Sequence, residues 1–135
     1  MQWDDSPNAG FTAGVPWLPC NPDYVRVNAA AERRDPDSVL ACYRRLIRLR
    51  KELDVLRDGD YRLLLPEDEA LFAYERRLGD TRLLVLCNFS GETRPDPLWE
   101  QERGMELLAG SYPQPQAPGT LRPWEGRMWI GPGGR

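Results

Sequence analysis

Residues 71–90 read LFAYERRLGDTRLLVLCNFS, and this stretch decides the fold. Leu71 to Arg76 and Arg82 to Phe89 are short runs rich in aromatic and branched aliphatic residues, parted by Gly79-Asp80, a dipeptide suited to a hairpin turn. The tetrapeptide Leu83-Leu84-Val85-Leu86 is continuously apolar, as a strand covered on both faces must be. Outward from this hairpin, Tyr61 to Leu65 is a further strand, joined through Pro66-Glu67-Asp68-Glu69. Met105 to Leu108, Leu121 to Pro123 and Arg127 to Ile130 complete the set. Such short antiparallel strands between turn residues predict a small all-β sandwich, with Trp124 and Trp129 in its core.

Upstream the pattern is helical. Val39, Leu40, Tyr43, Leu46, Ile47 and Leu53 recur at three- and four-residue spacing, with Arg44, Arg45, Arg48 and Lys51 mostly on the other side. Asp35 is placed to cap this helix, with Pro36 in its first position and Asp37 adding negative charge to the first turn. The basic cluster reads as a solvated face near the helix C-terminus. Before Asp37 there are five prolines and two glycines, which exclude a regular helix or central strand and predict a long ordered loop. From Gly91 onward seven prolines and eight glycines return, in keeping with short strands and a frayed end at Gly131-Pro132-Gly133-Gly134.

The chain has 135 residues, 41% apolar and 29% charged, with net charge −3. That composition excludes disorder and a collagen-like fibre. A complete (β/α)₈ barrel usually needs roughly 250 residues, so a barrel enzyme is present at most in part. Eighteen basic against twenty-one acidic residues give no surplus for nucleic acid or an anionic membrane. No apolar run spans a bilayer and no signal-peptide pattern opens the chain, which predicts a cytoplasmic protein.

With no histidine, Ser-His-Asp and Cys-His catalysis are impossible, and Cys20, Cys42 and Cys87 have no imidazole to activate them. The odd, widely spaced cysteines argue against a disulfide framework and a zinc site, and no Gly-rich phosphate loop precedes a helix. No metal or cofactor is expected. Asn88-Phe89-Ser90 matches a glycosylation sequon and reads as coincidence without a secretory context. Two acidic clusters remain, Asp4-Asp5 and Glu67-Asp68-Glu69. A glycosidase needs two carboxyl groups facing each other across the bond, and neighbours on one loop or turn seldom achieve this.

Several segments carry a resemblance. They are Met1-Gln2-Trp3-Asp4, Asn8-Ala9-Gly10-Phe11, Pro16-Trp17-Leu18-Pro19, Asn21-Pro22-Asp23-Tyr24 and Asn28, then Ser38-Val39-Leu40, Tyr43-Arg44-Arg45-Leu46-Ile47 and Leu49-Arg50-Lys51. With Leu71-Phe72-Ala73-Tyr74, Leu84 to Ser90 and Leu121 to Glu125, they resemble, in order, the C-terminal part of α-amylase-type glycoside hydrolases. The family is glycoside hydrolase family thirteen, in its oligo-1,6-glucosidase, α-glucosidase and trehalose-6-phosphate hydrolase branch. The resemblance implies an α+β fragment: residues 1–54 as the last loop and helix of the barrel, and residues 55–135 as the antiparallel β-sandwich beyond it.

In the family, the nucleophilic Asp, acid/base Glu and stabilising Asp lie upstream of the Met-Gln-Trp-Asp segment, so the resemblance implies a chain without catalytic residues. The whole enzyme would hydrolyse α-linked gluco-oligosaccharides with retention. This piece would supply the active-site rim through Gln2, Trp3, Asp4 and Asn8, the indole stacking on sugar and the polar groups bonding hydroxyls. Alternatively, Trp3 packs under the loop and Asp4 bonds loop amides. The expected partners are the sugar and the missing barrel. Lacking the barrel, the stripe Val39, Leu40, Tyr43, Leu46, Ile47 and Leu53 would drive self-association. A stand-alone carbohydrate-binding module and a purely structural domain are the other readings.

Overall fold

The computed structural model describes residues 1–112 and 118–133, which divide into two compact units, Met1–Arg48 and Leu49–Arg135. The first is mostly loop, made orderly by capping side chains. Two single turns, Pro7–Gly10 and Pro22–Val25, each begin with proline; its fixed φ suits the start of the second, a 3₁₀ helix, whereas the first continues through left-handed residues. The short helix α1, Ala29–Glu32, is capped by Asn28, whose Oδ1 accepts from the Ala31 amide at 2.8 Å. Carbonyls of Gln2 and Trp3 accept from the amides of Ala29 and Ala30, each at 2.9 Å, so the chain start is bonded to the opening of α1.

The amphipathic helix α2 runs over Val39–Glu52. Its start differs from the expected Asp35–Pro36, because Asp35 is occupied in a turn where its Oδ1 accepts from the Asp37 amide at 2.9 Å. Ser38 fills the capping role, with Oγ accepting from the Ala41 amide at 3.1 Å while donating to the Glu32 carbonyl at 2.8 Å. Glu32 Oε2 then accepts from the Leu40 amide at 3.0 Å, satisfying a second free donor of the first turn. No residue of α2 is buried, and Val39, Tyr43, Leu46 and Ile47 are all exposed.

The second unit holds α3, Val55–Asp58, and an antiparallel sheet. Its strands are β1 Asp60–Leu63, β2 Leu71–Leu78, β3 Thr81–Asn88, β4 Arg94–Pro95, β5 Glu106–Gly110, β6 Thr120–Leu121 and β7 Gly126–Pro132, with α4 Trp99–Glu102 after β4. Five form a sheet in the order β1-β2-β3-β7-β5, and β4 pairs with β6 as a separate ribbon. The β2–β3 hairpin closes at Gly79-Asp80 with Leu78 opposite Thr81. Gly79 has φ +55°, a left-handed conformation that a side chain resists.

Burial explains why Leu83 to Leu86 lacks alternation. Leu84 and Leu86 join Leu71, Ala73 and Trp129 in a core shared with Leu98 and Leu121, while Leu83 and Val85 meet Val55 on the opposite face. Both faces of β3 are therefore dry. The layer over the first face is contributed by the two-residue ribbon strands and the segment entering α4. Trp129 is core as expected, but Trp124 is not. It lies between β6 and β7 with φ +57° and is 64% exposed. Gly131 and Pro132 continue β7 instead of fraying, since Gly131 pairs with Arg82 and Pro132 with Thr81. Gly134 lies outside the described residues.

Polar groups close the ends of the sheet's inner face. At one end buried Glu75 receives Arg82 at 2.7 Å, Arg62 at 2.7 Å and Arg77 at 3.3 Å. Burial raises its carboxyl's pKa, but the guanidinium bonds together outweigh it and hold the group below the usual range. At the other end Asn88, 1% exposed, donates from Nδ2 to the carbonyls of Glu92 at 2.7 Å and Arg122 at 2.9 Å. Its Oδ1 accepts from the Ser90 amide and hydroxyl. The sequon asparagine is thus a buried structural bracket.

Candidate functional site

The four candidate rim residues lie on the first loop and have unlike fates. Gln2 is half-buried, and its Nε2 donates to Asp23 Oδ1 at 2.7 Å and to the Val27 carbonyl at 3.0 Å, tying the chain start to the segment before α1. Trp3 is 45% exposed, with its backbone amide donating to the Ala9 carbonyl at 2.9 Å.

Asp4 faces inward on its own loop. Its Oδ1 accepts from the amide of Ser6 at 2.9 Å and from the Ser6 hydroxyl, and these bonds hold the carboxyl below its ordinary pKa. A Cβ added to Gly10, which sits at φ +65°, would lie 2.6 Å from Asp4 Oδ1. Asn8, Ala9 and Gly10 are three successive left-handed residues, and Ala9 is fully buried. Asn8 locks this turn, donating from Nδ2 to the carbonyls of Thr12 and Gly14, each at 3.1 Å. Left-handed non-glycine residues cost about 1 kcal/mol or more each and persist where surrounding bonds impose them.

The turn presents the loop that follows. A cleft of about 640 Å³ lies beside it, bordered by Gln2, Phe11, Val15, Trp17 and Leu18. Of the four candidates, Gln2 alone borders it. Trp17 is 91% exposed, and Phe11, Val15 and Leu18 are also open. Composition alone does not single out this apolar rim. The available signal was a tryptophan and a leucine fixed between Pro16 and Pro19, where a stiff backbone holds apolar groups that this loop cannot fold over.

No carboxylate pair for glycoside cleavage emerges from this loop. Asp4 is committed to Ser6 and Asp23 to Gln2. In the other acidic cluster, Asp68 accepts from the Leu71 and Ala70 amides, which lower its pKa and stabilise the turn into β2. Among the described residues, no group of three His, Cys, Asp or Glu side chains is placed to hold a metal ion. None of their helices is long and apolar enough to cross a membrane. Cys20, Cys42 and Cys87 are free, and burial raises the Cys87 thiol's pKa.

Residues 1–59 match the family described as "Alpha amylase, catalytic domain". An oligo-1,6-glucosidase of Parageobacillus thermoglucosidasius is 44% identical over 137 residues, which cover 96% of this chain and 24% of that protein. The trehalose-6-phosphate hydrolase of Escherichia coli is 38% identical over 134 residues, covering 96% and 24%. Among solved structures, a Bacillus licheniformis trehalose-6-phosphate hydrolase superposes with TM-score 0.84 at 36% identity, over 96% of this chain and 25% of that one. Trehalulose synthase MutB from Pseudomonas mesoacidophila gives 0.80 at 41% identity, over 96% and 24%. The chain spans about a quarter of the length of the relatives it matches.

Proposed function

The chain belongs to the α-amylase-type glycoside hydrolases as the counterpart of one part of an oligo-1,6-glucosidase or trehalose-6-phosphate hydrolase, and on that premise we propose that it is the C-terminal portion of an α-glucosidase-type retaining enzyme. Its substrates are α-linked gluco-oligosaccharides. The observation that carries this reading is similarity over 96% of the chain to only about a quarter of each enzyme.

Residues 1–54 are then the last part of the catalytic barrel and residues 55–135 the β-domain beyond it, a sandwich in the family's manner. Retaining hydrolysis uses one carboxylate to attack the sugar carbon and one carboxylic acid to protonate the leaving oxygen. Both groups belong to the upstream part, so this portion is catalytically incomplete. Its contribution is the rim, where Trp3 offers a stacking face and the loop around Asp4 and Asn8 fixes its position. The exposed side chains of Phe11, Val15, Trp17 and Leu18 support the same reading, since a loop built to be covered leaves such groups open by itself.

Reconstitution tests it. The Parageobacillus thermoglucosidasius oligo-1,6-glucosidase, truncated to remove the matching final quarter, is mixed with this chain and assayed on p-nitrophenyl α-glucoside. The mixture is expected to form a complex and hydrolyse the glucoside, and Trp3→Ala to lower kcat/KM without preventing assembly. Components that neither associate nor hydrolyse the glucoside would sink the proposal. A second reading, a stand-alone carbohydrate-binding module, draws on the exposed Trp17 and Trp124. It predicts saturable quenching of tryptophan fluorescence by maltose, removed by substituting either residue.

A further inference from the structure

Beneath the ribbon lies a charged cluster that the proposed function does not use. Arg127 of β7 is buried between two carboxylates, donating from Nη1 to Asp96 Oδ2 at 3.1 Å and from Nη2 to Glu125 Oε2 at 3.2 Å. Glu125, wholly buried, is further neutralised by Arg122, whose backbone amide and Nη2 donate to it at 2.7 and 2.9 Å. Asp96 Oδ1 accepts from the Leu98 amide at 2.8 Å. Two cations and two anions leave this cluster balanced.

Glu102, the last residue of α4, breaks the balance. It is 6% exposed, and its Oε2 is buried without a hydrogen-bond donor. Its carboxyl lies beside that of Asp96. Two carboxylates cannot bond each other, so a hydrogen bond between them needs a proton on one. Burial raises the Asp96 carboxyl's pKa as well, but the Leu98 amide and the Arg127 guanidinium oppose that by favouring its charge, whereas Glu102 has no such donor at Oε2. The proton therefore belongs on Glu102, which donates it to Asp96 and keeps the buried cluster neutral.

We propose that Glu102 is a protonation latch: as a neutral acid it fastens α4 to the Asp96–Arg127 cluster, and its ionisation releases α4 and the segment around it from the sheet. The groups facing it are Asp96 before α4, Arg127 on β7 and Glu125 before β7. Burial first, then the Asp96 charge, raise the Glu102 carboxyl's pKa to about 7, with Arg127 opposing. A folded value above the unfolded one means that the latch stabilises fully below the ordinary glutamate range. Its contribution is lost as pH rises through about 7. The amides that report release are Gln101, which donates to the Leu98 carbonyl at 2.8 Å, and Met105, which donates to that of Glu102 at 2.9 Å.

The test is a carbon-detected NMR titration of the side-chain carboxyls in the full chain. Alongside it, amide hydrogen exchange at Gln101 and Met105 is measured from pH 6 to 8, for wild type and Glu102→Gln. The amide variant keeps a donor toward Asp96 and cannot ionise. Expected are a Glu102 midpoint near 7 and, after allowance for base catalysis, a roughly tenfold rise in the opening constant in wild type alone. Asp96→Asn should move the Glu102 midpoint down, because the like charge beside it is gone. A Glu102 midpoint near the ordinary value of about 4.3 would overturn the latch. So would an opening constant that stays flat in wild type or rises equally in Glu102→Gln.

Discussion

Replacing Asn88 with alanine removes four hydrogen bonds at one end of the sheet. The Ser90 hydroxyl can rotate to a new partner, so three groups carry the loss: the carbonyls of Glu92 and Arg122 and the amide of Ser90. At roughly 0.5 to 1.5 kcal/mol each, the expected cost is about 1.5 to 4.5 kcal/mol. Urea denaturation followed by far-ultraviolet circular dichroism measures it, with an unchanged slope showing that only stability moved. Asn88→Asp sharpens the test, since a carboxylate would face two carbonyl oxygens that need donors. This variant should be less stable than Asn88→Ala at neutral pH and recover in acid, where the protonated carboxyl regains one donor. A loss below about 0.5 kcal/mol for Asn88→Ala, within the range of a surface change, would refute the bracket.

In the first unit, limited proteolysis should cut earliest between Phe11 and Asn21, where Val15 and Trp17 stand open, and spare β3; initial cleavage within Leu83 to Leu86 would contradict the burial argument. Exposed Val39, Tyr43, Leu46 and Ile47 on α2 should make the isolated chain associate, and Leu46→Glu should shift it toward monomer in sedimentation velocity without loss of the β signal. Identical profiles for both proteins would show that this stripe drives no association. Glu75→Gln should cost about 1.5 to 3 kcal/mol at neutral pH, since charge-assisted bonds to Arg82 and Arg62 are weakened. Because the folded carboxyl is held low, that difference should persist down to the ordinary carboxylate range and vanish below it. A difference independent of pH would count against the ion pairs.

The hairpin, the double burial of Leu83 to Leu86 and the antiparallel pairing were legible because side-chain pattern and turn chemistry agree there. The helix start was not, since Asp35, Pro36 and Ser38 all suit a capping segment, and only the bond from Ser38 to the Glu32 carbonyl selects among them. Trp124 was misplaced because an apolar residue beside strand residues reads as core, whereas its left-handed backbone turns it outward. The site residues were named through resemblance, and the structure shows what local chemistry each performs. Gln2 and Asn8 bond backbone carbonyls and Asp4 bonds Ser6, while the apolar rim at Trp17 depends on an exposure that no periodicity encodes.

Hydrolysis of p-nitrophenyl α-glucoside by the purified chain alone tests the central claim most directly. Enzymes lower such barriers by ~8 kcal/mol or more, and on the proposed reading the attacking carboxylate and the proton-donating acid that do so are supplied by another part of the enzyme. The expected rate is that of buffer, at every pH and at the highest soluble protein concentration. Turnover that persists through repeated purification and follows this polypeptide from column to column would contradict the account.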